Sequence, residues 1–194
     1  IEAEFQYLAS VDGGSGRVDV SREMLGLAWD TVLLYPAGHD ATRIVVQAEL
    51  RLPAGWQHAS ALELEVQDGA RRVFRPVDLD TLVDSPVLAG RFVRQVDLDP
   101  GAKEAGRAPV RLTIAAEQPG QLAATPEQVA IHAALVTQAD KLFGTRPFRH
   151  YDFLLAVGDS LGENGLEHWQ SSENVVPANY FTEWAKSAPG RDLL

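Results

Sequence analysis

There is no cysteine among the 194 residues. That removes disulfides, thiolate metal ligation and a cysteine nucleophile together, while leaving the redox compartment open. Long apolar runs are missing too, since none reaches the roughly 18 residues of a membrane-spanning helix. Basic charge is scarce: 17 Lys and Arg face 27 Asp and Glu, for a net charge of −10 and a pI of about 4.9. A surface for nucleic acid needs clustered Lys and Arg, so nucleic acid is not an expected partner. An acidic chain is compatible with amine-bearing ligands, although solubility alone accounts for the charge. The sequence starts at Ile1, without Met or a charged-then-apolar leader. The native start is therefore expected to be removed or upstream, and localisation stays open. Of the five histidines (His39, His58, His132, His150 and His168), no two lie three or four apart on a predicted helix. A His-Glu-x-x-His zinc helix is thus absent.

What is present is ordinary for a folded protein: 45% hydrophobic and 23% charged residues, enough for one large or two modest domains. Residues 1 to about 120 carry strand patterns. Arg43-Ile44-Val45-Val46-Gln47-Ala48-Glu49-Leu50-Arg51-Leu52 is β-branched and then alternates, ending at Pro53-Ala54-Gly55. Leu62-Glu63-Leu64-Glu65-Val66-Gln67 alternates strictly, which predicts one dry and one wet face. Asp68-Gly69 then leads into Arg72-Val73-Phe74, a hairpin pattern. Residues 18–20, 32–35, 91–98 and 109–115 are further strand candidates. This spacing, punctuated by Gly and Pro, predicts a mainly β fold: an antiparallel sandwich or curved sheet over residues 1–121, with an α+β appendage over 122–194.

The character changes near Gln118-Pro119-Gly120. Thr125-Pro126-Glu127-Gln128 combines a capping Thr, a first-turn Pro and a capping-box Gln. Val129, Ala133, Val136 and Phe143 recur at helical spacing, Ile131, Leu135 and Leu142 widen the stripe, and Gly144 is placed to end the helix. Tyr151-Asp152-Phe153-Leu154-Leu155-Ala156-Val157 predicts a short buried strand. Pro177 predicts a second helix with Tyr180, Phe181, Trp184 and Ala185 as its apolar face, stopped by Pro189-Gly190. Arg191-Asp192-Leu193-Leu194 has the look of an element cut short.

Little in the chain makes a complete catalytic set. Gly158-Asp159-Ser160-Leu161-Gly162 has the spacing of a nucleophile elbow, but the acid and histidine do not follow in the order of such triads. Gly13-Gly14-Ser15-Gly16 lacks the flanking strand and helix of a phosphate loop. His39 and His58 sit in turn-like contexts and are expected to face solvent. The densest chemistry is Gly165-Leu166-Glu167-His168-Trp169-Gln170-Ser171-Ser172-Glu173, where a carboxylate, an imidazole, an indole and two hydroxyls follow a glycine. Such a stretch can offer a charged acceptor to a ligand's amine, or be a solvated loop.

Three stretches together resemble the glycyl-aminopeptidase family of zinc metallopeptidases. The first is Leu52-Pro53-Ala54-Gly55-Trp56 with Ala59-Ser60-Ala61-Leu62; the second is Thr81-Leu82-Val83-Asp84-Ser85-Pro86-Val87-Leu88-Ala89-Gly90. The third runs from Lys141-Leu142-Phe143-Gly144 through His150-Tyr151-Asp152-Phe153-Leu154-Leu155 to Gly165-Leu166-Glu167-His168 and Ser171-Ser172-Glu173-Asn174. The resemblance implies a β-rich N-terminal domain, the start of a thermolysin-like catalytic domain and, further along the parent, a PDZ domain. It implies that Gly165, Leu166, Glu167 and His168 form the strand that meets a peptide substrate, with Glu167 holding the free α-amine. The zinc helix of the family would begin just after Leu194. By this reading the chain has no catalytic residues, metal ligands or cofactor of its own and is inactive alone, while its zinc-bearing parent removes N-terminal glycine or alanine. The alternative is a non-catalytic β-sandwich module that binds peptide or protein. Oligomeric state, substrate side-chain preference and the role of Asp84-Ser85-Pro86 are not specified by the sequence.

Overall fold

The computed structural model describes residues 2–9, 18–162 and 165–188. The Gly13-Gly14-Ser15-Gly16 turn, the Pro189-Gly190 stop and residues 191–194 lie outside them. In chain order the first elements are β1 (Val18–Val20), β2 (Met24–Leu27), β3 (Val45–Val46), β4 (Glu49–Arg51), β5 (Gln57–Ala59), β6 (Leu64–Asp68), β7 (Arg71–Phe74) and β8 (Val77–Asp78). A short helix α1 (Leu79–Val83) leads to β9 (Val87–Gly90), β10 (Phe92–Asp97) and β11 (Val110–Ala116). After the long helix α2 (Pro126–Phe143) come β12 (Tyr151–Val157), β13 (Gly165–Glu167) and β14 (Ser171–Val176).

The fold is mainly β, with antiparallel sheets in its first part. An antiparallel sheet of order β1-β2-β9-β5 faces the hairpin sheet β4-β7-β6. Trp29, Leu52, Trp56, Phe74, Leu79 and Val87 fill the space between them. The Asp68-Gly69 hairpin forms as predicted, with Gly69 at positive φ between β6 and β7. The run from Arg43 to Leu52 is not one strand: it changes partner, β3 pairing with β8 and β4 with β7. β6 does not have the dry face its alternation predicts. It is the outer strand of three, with a register shift between Leu64 and Val66, and all five of its residues are exposed. Residues 32–35 form no strand either. They follow a single 3-10 turn, run into Pro36 and leave Leu34 and Tyr35 exposed without a neighbour to pair with.

The second part is a five-stranded sheet of order β10-β11-β12-β14-β13, parallel across β11-β12-β14 and antiparallel at both margins. Strands from both sides of residue 121 share it. Continuous apolar β12 suits a strand covered on both faces, as predicted. One face, with Leu112, Ile114, Leu155 and Val157, packs under Val136 of α2 and Tyr180 and Phe181. The other presents Ala115, Leu154 and Ala156 to Met24, Ala59 and Leu88 of the first sheet. The alanines among them let the two sheets approach closely. Within the first sheet, Gly90 of β9 excludes any side chain, since a Cβ there would meet the Glu23 carbonyl oxygen beside β2 at 2.8 Å.

α2 begins with the predicted capping box: Thr125 Oγ1 accepts from the Gln128 N–H and the Gln128 side chain accepts from the Thr125 N–H. Gly144, at φ 68°, ends it in the left-handed region. Thr125→Ala is expected to cost about 1 kcal/mol of unfolding free energy in urea titration. The apolar stripe lies differently from its prediction. The buried residues are Gln128, His132 and Val136, while Ile131 and Leu135 are exposed and Leu142 and Phe143 are 76% and 70% accessible. The reason lies in what covers the helix. Gln128 Nε2 donates to the Phe181 carbonyl, and His132 meets the Tyr180 hydroxyl.

Those contacts also correct the second predicted helix. Residues 178–186 form successive turns, mixing hydrogen bonds three and four residues apart. Phe181 gives its carbonyl to Gln128, and the rings of Tyr180, Phe181 and Trp184 gather on His132.

Candidate functional site

The stretch singled out in the sequence folds into the margin of the five-stranded sheet and the turn that closes it. β13 pairs with β14 on one side only, and the His168 N–H donates to the Ser171 carbonyl to make the tight return. Among the described residues the outer side of β13 faces no strand, so its backbone groups are available to an extended peptide. Gly165, Leu166 and Glu167 are all exposed.

Facing residues in a ladder share a side of the sheet. Glu167 lies opposite Ser172, which lies beside Phe153 of β12. This puts Glu167 on the side that α2 covers. There Leu135, Phe143, Phe148, Tyr151 and Phe153 line an apolar groove of about 580 Å³. Among the described residues the Glu167 carboxylate enters no ion pair or hydrogen bond. Its charge is felt at Tyr151. Burial pushes the Tyr151 phenol up, a hydrogen bond to Ser172 pulls the other way, and the Glu167 and Asp84 carboxylates add to the rise.

His168 is placed differently from its neighbour. Its Nδ1 lies 3.1 Å from Asp84 and its Nε2 3.3 Å from Glu173, so both ring nitrogens are engaged by carboxylates. Asp84 also accepts from the Trp169 N–H at 2.9 Å, while the Trp169 indole donates to the Pro147 carbonyl. Asp84, Tyr151 and Ser172 join the site in the fold, beyond the four residues the sequence nominates. For Asp84 a pointer existed: Asp84-Ser85-Pro86 lies in the second resemblance stretch. Its partner is 84 residues away, beyond any local pattern.

The Asp84-Ser85 corner is itself built firmly. Asp78 caps α1 through the Thr81 N–H, Ser85 Oγ donates to the Thr81 carbonyl, and the Ser85 carbonyl accepts from the Trp29 indole and the Ser60 hydroxyl. The first part of the chain thus reaches across to fix the bend that follows β13.

Burial opposes charge on His168, but the hydrogen bonds to Glu173 and Asp84 outweigh it, so its pKa lies above the ordinary 6.5. A histidine whose folded pKa is raised stabilises the fold fully below its unfolded value. That stabilisation is lost as pH rises through the higher folded value. Asp84→Ala is therefore expected to cost about 1–3 kcal/mol at pH 6. The difference from the parent chain should shrink in urea titrations repeated toward pH 9.

The other histidines divide. His39 is exposed, as expected. His58 is not: it lies in β5 against the Phe74 ring, and burial followed by the Arg72 charge pushes its pKa down to about 4. Among the described residues Ser160 meets no histidine; its N–H donates to Glu117, just after β11. Among the described residues no three His, Asp or Glu converge as metal ligands.

The architecture is similar in fold to those of several solved zinc metallopeptidases. An aminopeptidase N family protein from Idiomarina loihiensis is similar with a TM-score of 0.62 at 20% identity, over 85% of this chain and 27% of that one. An M1 zinc metallopeptidase from Deinococcus radiodurans gives 0.51 at 14%, over 88% and 40%. A two-domain M1 zinc metallopeptidase bound to L-arginine gives 0.51 at 15%, over 95% and 44%. At these identities the likeness is one of fold, and the chain spans less than half the length of each. More particularly, residues 1–91 match the Peptidase M61 N-terminal domain. The match ends where β10 and the five-stranded sheet begin. No protein of curated function matches the sequence.

Proposed function

We propose that this chain is the N-terminal portion of a zinc-dependent aminopeptidase that removes small residues, glycine or alanine, from peptide N-termini. We place the division between its two parts after residue 91, with the M61-type β domain before it and the start of a catalytic domain after it. The observation that carries the reading is the Glu167 carboxylate, without a partner among the described residues, on a strand margin on the same side of the sheet as an apolar groove. An extended peptide adds to β13 through its backbone, using Gly165 and Leu166 for close approach. Its terminal ammonium meets Glu167, which gains the counter-charge it lacks. A substrate without a free amine would leave that carboxylate unpaired in a closed cleft, which confines cleavage to the chain terminus. His168, locked between Asp84 and Glu173, shapes the bend that presents the strand.

Zinc, when bound in the longer protein, supplies a polarised carbonyl and an activated water. The described residues do not offer its ligands, and none of the steps assigned here passes through it. A PDZ domain further along the parent belongs to the same reading. The test is the reading frame that contains this chain, expressed in full and assayed on glycine and alanine p-nitroanilides with and without a chelator. Chelator-sensitive hydrolysis is expected. A frame with no His-Glu-x-x-His helix beyond residue 194, or a full-length product without hydrolysis, would reject the enzyme reading in favour of a peptide-binding module.

A further inference from the structure

On the other side of the five-stranded sheet from Glu167 lies a second cavity, of about 630 Å³, between the hairpin strands β6 and β7 and the starts of β11 and β12. Its walls reverse the charge of the molecule. The chain as a whole carries −10, yet Arg72, Arg75, Arg111 and Arg149 converge here against only Glu63 and Asp152. We propose that this cleft binds a small, multiply charged oxyanion, a phosphate or carboxylate compound, through that arginine wall.

The arginines are not all used up by the fold. Arg111 is committed, giving two N–H groups to Asp152 at 2.7 Å each. Arg75 faces Glu63 at 3.5 Å in an exposed pair, an arrangement that contributes little and rearranges readily. The exposed Arg149 side chain forms no ion pair among the described residues. Arg72 is the most telling. It is only 5% accessible, its terminal nitrogens donate to the carbonyls of Gly69, Arg71 and Trp56, and its Nε finds no acceptor. A buried guanidinium held by neutral carbonyls alone keeps its full charge uncompensated. Burial first, and then this charge, drive His58 on the same wall toward the neutral form. Guanidinium groups take oxyanions through paired, parallel N–H donors, for phosphate and carboxylate alike. The volume suits a compact ligand and not a folded partner.

The site differs from the peptide margin in face and in charge sign, so it stands or falls separately. Asp152 pairs with Ser171, next to and therefore opposite in facing from Ser172, the neighbour of Glu167.

The 194-residue chain can be titrated with pyrophosphate and, separately, with citrate, following the ring-proton NMR signals of His58 and His150. Saturable shifts with a dissociation constant below about 1 mM at low salt are expected, with the signal of exposed His39 unmoved. Arg75 and Arg149 are exposed, so the double variant Arg75→Gln, Arg149→Gln keeps the fold. It is expected to bind at least about tenfold more weakly. Response to pyrophosphate alone assigns a phosphate ligand, response to citrate alone a carboxylate one, and response to both the shared chemistry. No saturation with either anion, or equal affinity in the double variant, would overturn the proposal.

Discussion

Asp152→Ala is expected to lower the unfolding free energy by about 3 kcal/mol, the largest stability effect of a single polar side chain here. Asp152 is buried at the start of β12. Its two oxygens accept from Arg111 Nε and Nη2 at 2.7 Å each, and its Oδ2 also meets His150 Nδ1 at 2.8 Å. Arg111 sits directly across the ladder from Asp152, so the pair ties the two central parallel strands at their N-terminal ends. Removing the acid leaves a guanidinium and an imidazole facing each other with nothing between them. Arg111 is 37% accessible and regains some water, which holds the loss to the lower part of the roughly 3–5 kcal/mol that breaking buried pairs costs. Even so, that is a large share of the 5–15 kcal/mol typical of a domain. Urea titration of the two chains gives the number. A loss below 1 kcal/mol would mean that the network contributes no more than an exposed pair.

The second large effect concerns activity. Glu167→Gln, made in the full-length protein, is expected to reduce kcat/KM for peptides with a free N-terminus by about ten- to hundredfold. This corresponds to losing a charge-assisted contact of about 1.5–3 kcal/mol. Glutamine keeps the shape and one acceptor but not the charge, so the loss isolates the ammonium contact. On the proposed function N-acetylated peptides are poor substrates, so their turnover should be unaffected, and the preference for free amines should collapse. Stability should move by no more than about 0.5 kcal/mol, because the side chain is exposed and forms no hydrogen bond or ion pair among the described residues. A merely structural Glu167 would give the opposite pair of results.

How much of this could be read beforehand depended on how local the cause was. The α2 capping box, its Gly144 terminus and the Asp68-Gly69 hairpin are decided within a few residues, and all three formed as read. The mainly β architecture and buried β12 followed from patterns only slightly longer. Failures came where a distant partner decides. The alternation of β6 is real, but no layer among the described residues covers it, and the apolar C-terminal half of α2 is left exposed for the same reason. Pro177 and the aromatics after it have helical spacing, yet His132 and Gln128 draw them into turns from some 50 residues away. At the site, the residue types from Gly165 to Glu173 stand out locally, while the amine-holding role of Glu167 comes only from the family resemblance and is a proposal. Asp84 does not stand out, since its importance comes from His168 and Trp169 across the fold. Likewise an overall charge of −10 concealed four converging arginines that no window of sequence groups together.

The most direct measurement is a crystal structure of the full-length, zinc-loaded protein with a bound amino acid or short peptide. The account predicts an extended ligand alongside β13, its α-amine within about 3.2 Å of a Glu167 carboxylate oxygen. A ligand whose amine is held by another residue, with Glu167 left in solvent, would contradict it.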